Sequence, residues 1–366
     1  MNGAAVVAAE AIRVRVPFRR PGITSAGTWT HRESWIVRLF DGGGAVGLGE
    51  AALDFDAGDA AAELARLVRL AVEGVRARDR LPTSAELDAS GAAGRALRCA
   101  IDSALLDLRL REAPRAEGPR SVPVNATIGF LGASESAAAA RAAVTAGFRT
   151  IKMKVGPERT TVELIERVAA VRHAIGPDVR LRLDVNGAAH AFDLHAVAEF
   201  RPEYVEQPVD AGDLYDLIEA RGHSPVPIAA DESVSSVAAA RELLAAGAAD
   251  VLVVKPARVG GPFAAWEIEE LAGADGVPVV ISTLFETGVG IAAALATAAG
   301  LAPVAGPTAD LAHGLATADL LESDLLVHSL KIEHGRMFVP EGPGLGIELD
   351  EAALRRYAVE RLGSRP

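Results

Sequence analysis

In the segment TIKMKVG, Lys152 and Lys154 alternate with Ile151, Met153 and Val155. Residues two apart on a strand share a face, so both amines point one way and the apolar side chains the other. Farther along, Asp184 and Asn186 close LRLDVNG, Glu206 closes YVEQP, Asp231 and Glu232 close IAADES, and Lys255 closes VLVVKP. Acids and lysines are rare on buried strands unless they are paired or functional. The intervals from 184 to 206, 206 to 231 and 231 to 255 are each about one strand–helix unit, so these charges follow one another around a ring. Asp184, Glu206 and Asp231 converging on one point would repel one another unless a cation lay between them. Oxygen ligands without a His or Cys cluster favour a hard ion, Mg²⁺, with Mn²⁺ the other candidate. Lysines flanking such an ion suit removal of a proton next to a carboxylate. The metal stabilises charge growing on the carboxylate oxygens, and the surrounding positive charge helps one amine stay neutral enough to act as a base. The partner implied is a small-molecule carboxylate.

Positioning such a ring takes a closed parallel sheet. Short apolar runs at 124–128, 150–155, 180–185, 204–207, 228–232, 250–255, 278–283 and 309–313 alternate with helical patterns such as 162–175, 237–246 and 288–299. Eight such units over roughly 200 residues predict a (β/α)-barrel of the TIM type, whose active sites lie at the C-terminal ends of the strands. The front of the chain has another rhythm. Residues 11–16 and 35–39 alternate polar and apolar, Asp41-Gly42-Gly43-Gly44 signals a turn, and 46–51 reads as a third strand. Helical patterns follow at 60–76, 84–89 and 96–111, while the Gly/Ser/Thr-rich stretch 22–32 reads as a loop. Strands followed by helices suggest a separate α+β domain. The expected fold is therefore α/β, a modified TIM barrel over 121–330, with an N-terminal α+β capping domain over 1–120. A tail over 331–366, ending in a helix, packs back on the capping domain.

Composition narrows the function classes. Half of the 366 residues are hydrophobic and 23% are charged, as in a packed globular protein. The formal charge of −12 argues against nucleic acid or an anionic membrane as partner. The single cysteine, Cys99, excludes an internal disulfide framework and, lying in an apolar helical stretch, reads as a small buried hydrophobe. The apolar run 4–9 is too short for a membrane span and lacks a basic leader, so the cytoplasm is the expected address. His190, His223 and His313 fall in no metal-binding spacing, although His313 on the eighth strand would sit near the mouth.

The series KMK, DVN, EQP, DES and KP, in this order on successive strands, resembles the muconate-lactonizing subgroup of the enolase superfamily. The resemblance covers nearly the whole chain, including Gly49-Glu50 and the helix AIDSALLDL. It implies Lys154 as base on one face of the substrate and Lys152 as its modulator and carboxylate contact. It also implies Mg²⁺ on Asp184, Glu206 and Asp231, and Lys255 on the opposite face. The 22–32 loop, with Arg32, would cap the site and, with Asn186, help hold the substrate. Three segments, ISTLFETGVGIAAALATAAGL, AHGLATADLLESDLL and PGITSAG, are similar to the o-succinylbenzoate synthase family of menaquinone biosynthesis. On that likeness Ser282 and Thr283 would meet the succinyl tail, Glu286 would orient the site, and Glu232 would divide between site and ion-pair support.

The nearest rivals are an N-succinylamino acid racemase and a dipeptide epimerase of the same subgroup. The latter is disfavoured because ADLAHGLA lacks an Asp-x-Asp pair near the eighth strand. A sugar-acid dehydratase would place a histidine base late in the barrel, where this chain has Lys255. From another class, a non-catalytic barrel scaffold would be expected to lose a ligand or a lysine, and none is lost. Singly, each residue has a plainer reading: an Asp at a strand end is usually a cap or turn former. The oligomeric state stays open, a homo-oligomer included.

Overall fold

The computed structural model describes residues 6–24, 27–55, 57–77, 80–112, 120–156, 158, 160–187, 193–301 and 310–363. The N-terminal sheet holds β1 (Val6–Thr24), β2 (Gly27–Asp41) and β3 (Val46–Ala52), and helices α1 (Ala60–Arg76), α2 (Ser84–Asp88) and α3 (Gly91–Glu112) follow. After β4 (Ser121–Pro123) the chain enters the barrel with β5 (Ala126–Ile128), α4 (Ala133–Thr145), β6 (Thr150–Lys154), α5 (Thr161–Ile175), β7 (Arg180–Asp184) and α6 (Leu194–Val197). It continues with β8 (Tyr204–Glu206), α7 (Leu214–His223), β9 (Ile228–Ala230), α8 (Val237–Ala245), β10 (Val251–Val254), α9 (Pro256–Val259), α10 (Pro262–Ala274), β11 (Val279–Ile281) and α11 (Gly288–Ala299). The chain ends with β12 (Ile332–Glu333), β13 (Arg336–Phe338), α12 (Glu351–Tyr357) and β14 (Ala358–Gly363).

Strands β5 to β11 form one parallel sheet in sequence order. The expected eighth strand is reduced to two bridges, Val124 to His313 and Ser282 to Gly314, which close the ring between β5 and β11; Ala309, its first residue, lies outside the described residues. The first strand is also shorter than expected. Its ladder with β6 covers 126–128, Val124 joins the ring through its bridge to His313, and the residues just before it, 121–123, pair with β13.

The stretch 22–32, expected as a loop, is largely strand. Gly22 pairs with Trp29 and Ile23 with Thr28, so β1 and β2 continue as a long hairpin arm; Ser25 and Ala26 lie outside the described residues. Prolines obscured this continuity. Pro17 and Pro21 lack the N–H that a ladder needs, and the register slips between Pro17 and Gly22. The arm reaches the barrel. Phe18 meets Phe285 edge-on at 6.2 Å, and Trp29 stacks on Phe55 at 4.9 Å.

The tail also departs from expectation. Its first part, β12 and β13, extends β4, and the described residues end in a strand, β14, that pairs antiparallel with β1. Only the later part of 331–366 reaches the N-terminal sheet.

Each face of that sheet has its own core. One buries Ala11, Trp35, Val37 and Leu39 against helices α1 and α3. The other buries Ile12, Val14, Ile36 and Leu48 against Val289 of α11 and Leu321 and Leu325. Each fully buried aliphatic side chain contributes about 1.5–3 kcal/mol, enough together to hold the two layers as one body. Strand β3 touches α3 so closely that a Cβ on Gly49 would overlap the Ala100 carbonyl oxygen. Gly49→Ala is therefore expected to cost about 3 kcal/mol through backbone displacement, read as a lowered denaturation midpoint. An unchanged midpoint would show that the contact is not obligatory.

Candidate active site

Strand periodicity places the functional side chains. Tyr204, Ala229, Val251, Val253, Val280 and Leu311 fill the barrel interior. Glu206, Asp231, Lys255 and Ser282 share their parity and continue those inward rows toward the C-terminal mouth. Ile151, Met153 and Val155 face outward into the barrel's helical layer, leaving Lys152 and Lys154 inward.

The lysines and acids meet there. Lys152 Nζ donates to Glu206 Oε1 at 2.7 Å and lies 2.9 Å from Asp184 Oδ2. Lys154 Nζ donates to Asn186 Oδ1 at 2.6 Å and stands 3.5 Å from Asp184 Oδ2. Across the ring, Lys255 Nζ donates to Asp231 Oδ2 at 2.7 Å. Asn186 holds the centre together: its amide donates to Glu232 Oε1 at 3.1 Å, and its backbone, at φ 53°, donates to Asp184 Oδ1. Asparagine tolerates this left-handed conformation better than most residues.

Burial works against the Lys152 ammonium, but the charges of Asp184 and Glu206 outweigh it and hold its pKa well above the usual value. Burial, and then repulsion from Asp184, pushes Glu206 up to about 8. Burial would also raise Asp184, yet Lys152 and Lys154 keep it below the usual carboxylate range. Two acids thus crowd one ammonium, and Glu206 is the one whose charge the site disfavours. Burial likewise opposes the Asp231 charge, but Lys255 and Arg258 hold its carboxyl well below the ordinary range.

Among the described residues no trio of His, Cys, Asp and Glu stands as a ready metal cage. The Lys152 ammonium lies between Asp184 and Glu206, and Lys255 and Arg258 take the two oxygens of Asp231. The donor set nevertheless fits a hard cation. Glu206 Oε2 and Glu232 Oε2 are buried with no hydrogen-bond partner among the described residues, and after burial the charges of Asp184 and Asp231 add to the rise of Glu206.

Several residues in this constellation were not among the expected site residues. Arg258, on α9 one turn beyond Lys255, donates from Nη1 to Asp231 Oδ1 at 2.6 Å and from Nη2 and Nε to both oxygens of Asp54. Its clue was a charged side chain just after a buried strand end. Gln207, fully buried at φ 43°, accepts from the backbone N–H of Asp231 and Ser233 and so fixes the fifth strand end. Glu50 of β3 accepts from the Thr287 backbone and hydroxyl and from Gly290 N, capping α11 from the neighbouring domain.

The other expected residues gather on the loop after β11, a step away from the lysines. Thr283 Oγ1 meets Thr317 Oγ1 at 3.1 Å, and Ser282 Oγ reaches the Gly314 carbonyl at 3.4 Å. Glu286 accepts from Leu284 N; burial and the nearby Glu50 charge, opposed by Arg32, push it up to about 7. His313 accepts at Nδ1 from Ile281 N, and burial holds it neutral with a pKa near 3, as a structural group of the ring closure. Cys99 is buried, and burial raises its thiol out of the reactive range.

Comparison with known proteins gives a consistent set of relatives. Residues 135–353 match the model of a family described as enolase C-terminal domain-like. An o-succinylbenzoate synthase of Thermobifida fusca (strain YX) is 41% identical over 244 residues, 64% of this chain and 73% of the relative. An N-succinylamino acid racemase of Amycolatopsis sp is 28% identical over 355 residues, 92% of each chain. Among solved structures, the dipeptide epimerase from Enterococcus faecalis V583, complexed with Mg and the dipeptide L-Leu-L-Tyr, superposes with a TM-score of 0.81. It is 26% identical and covers 93% of this chain and 99% of its own.

Proposed function

The chain belongs to the enolase C-terminal domain-like family, and from that premise we propose that it is a Mg²⁺-dependent o-succinylbenzoate synthase, a dehydratase serving menaquinone biosynthesis in the cytoplasm. In this reading Asp184, Glu206 and Asp231 hold the ion, which when bound supplies a Lewis acid for the substrate carboxylate. Lys154 takes the proton α to that carboxylate, giving an enediolate. The Lys255 ammonium stabilises its negative charge. Protonated Lys154 then returns its proton to the β-hydroxyl, which leaves as water from the same face. Arg32, Asn186, Ser282, Thr283 and Glu286 line the substrate, and Glu232 supports Asn186. The working organisation is a capping domain over 1–120, a catalytic barrel over 121–330 and a tail over 331–366.

The observation that carries the reading is the unequal environment of the paired lysines. Lys152 is gripped by two carboxylates and held as an ammonium, suited to binding a carboxylate. Lys154 has an amide oxygen as its near partner and, among the described residues, one acid at 3.5 Å, so less holds it in place and it is freer to turn toward a substrate α-proton. Purified protein with Mg²⁺ and the cyclohexadiene carboxylate precursor is expected to form the aromatic product, followed by ultraviolet absorbance. Absence of product would remove dehydration.

A second reading, N-succinylamino acid racemase, is favoured by one feature. Lys154 ends β6 and Lys255 follows β10, four positions apart in a ring of eight, so the amines face each other across it. Two bases on opposite faces could exchange a Cα proton. Deuterium uptake at Cα of N-succinyl amino acids in D₂O, without loss of water, would favour that reading.

A further inference from the structure

The strand that carries the paired lysines ends without a helix to seal it. Across the ring, Lys255 caps α9 directly, and its carbonyl accepts from Arg258 N and Val259 N. After Lys154 the ladder adds one bond, from Val155 N to the Asp184 carbonyl, and the chain then runs through 155–160 before α5 begins. Gly156 turns it at φ 122°, a conformation that suits glycine. The next bond is made by a side chain: Gly156 N donates to Glu158 Oε2 at 2.6 Å.

Glu158 is itself held from behind. Arg167, on α5 and 5% exposed, pairs with Glu158 Oε1 through Nη1. Its Nη2 donates to the Gly129 carbonyl at 2.8 Å and its Nε to Ser136 Oγ at 3.2 Å. Ser136, near the start of α4, donates in turn to the Leu131 carbonyl at 3.1 Å. One guanidinium thus ties the chain after β6 to the chain after β5 and to α4, at the end of the barrel where Lys154 stands. A buried ion pair adds little net stability over an apolar pair of similar size, because both charges lose their water. What the planar fork of an arginine adds is a fixed geometry. The Lys154 amine has few bonds of its own, so its aim depends on where the backbone places it. A displacement of about 1 Å near a reacting group can cost about a hundredfold in rate.

We propose that Arg167 and Glu158 are positioning residues for Lys154: the buried pair fixes the turn after β6 and so keeps the amine aimed at the α-proton of the substrate. This rests on the reading of Lys154 as the base, and it gives the pair no contact with the substrate.

Arg167→Ala alone would leave the Glu158 charge buried and unpaired, so the test uses the double variant Arg167→Met with Glu158→Gln, which buries no unpaired charge. The enantiomers of an N-succinyl amino acid present the α-proton to opposite faces of the site, and loss of exchange in Lys154→Ala identifies the one that faces Lys154. In the double variant, kcat for removal of that proton in D₂O is expected to fall at least about tenfold with KM within about twofold of the wild type, while removal from the other enantiomer, at Lys255, stays within about twofold. Glu158→Gln alone keeps an oxygen for Gly156 N and is expected to lose less. Amide exchange read by mass spectrometry is expected to be at least about tenfold faster at Gly156 in the double variant and unchanged in β10. Equal losses on both enantiomers, no loss on either, or unchanged amide exchange at Gly156 would overturn the proposal and leave the pair a support of the fold. Wild-type protein that removes the α-proton of neither enantiomer, with Gly156 exchange still faster in the variant, would refute proton removal from N-succinyl amino acids and still support the pair as the anchor of Lys154.

Discussion

Lys154→Ala is expected to lower the rate of α-proton removal by roughly 10⁴-fold, the upper range for loss of a positioned general base. The effect follows from position more than from charge. Lys154 shares its strand face with Lys152, but Lys152 is tied to Asp184 and Glu206 and cannot swing to replace it without leaving both acids unpaired. The fold should tolerate the change, because Asp184 keeps Lys152 as its ion partner and Asn186 keeps its bonds to Glu232 and Asp184. The measurement is the rate of hydrogen–deuterium exchange at the substrate α-carbon, alongside the denaturation midpoint. A variant that keeps more than a tenth of the exchange rate would remove Lys154 from the chemistry. Lys255→Ala then separates the two readings. Dehydration through one base should leave exchange measurable in that variant while product formation slows. Racemisation needs a proton donor on each face, so it should be lost in both variants.

The site was legible where chemistry and strand periodicity coincide. Lys152, Lys154, Asp184, Glu206, Asp231 and Lys255 sit at the ends of β6 to β10, and a period of two sends them all inward. Arg258 escaped because it lies on a helix of four residues, outside that periodicity, and its partner Asp54 is some two hundred positions away in a loop of the other domain. Glu50 was visible only as part of a Gly-Glu pair; its role as a cap on α11 spans 237 positions of sequence. The hairpin arm was mistaken for a loop because glycine, serine and proline mark turns locally, whereas pairing along β1 and β2 is set by the whole sheet. The eighth strand failed for a related reason. Two bridges and the His313 contact close the ring there, so little regular ladder is needed.

Asp184→Asn is expected to weaken Mg²⁺ binding by roughly a hundredfold or more, on the scale of about 3 kcal/mol for removing one partner of a buried charged set. In the protein without metal the change acts on two groups, Glu206 and Asp184 itself, with opposite signs. Burial and the charges of Asp184 and Asp231 raise Glu206 to about 8, so a neutral residue at position 184 removes one of these effects and lets Glu206 ionise more readily beside Lys152. Glu206 has its pKa raised above the unfolded value, so its protonated form is favoured in the fold. Its penalty is absent at low pH and grows as pH rises from the ordinary glutamate range toward 8. Asp184→Asn should shrink that penalty. Against this, the variant also loses the Asp184 charge that Lys152 and Lys154 hold below the ordinary range, a stabilisation fully present at pH 7–8, so without metal its denaturation midpoint is expected to lie at or below that of the wild type, while the rise in midpoint on adding Mg²⁺ is lost. Scanning calorimetry with and without Mg²⁺ reads both effects. A variant that loses stability without metal yet keeps the full Mg²⁺-dependent rise would place the ion elsewhere than on Asp184.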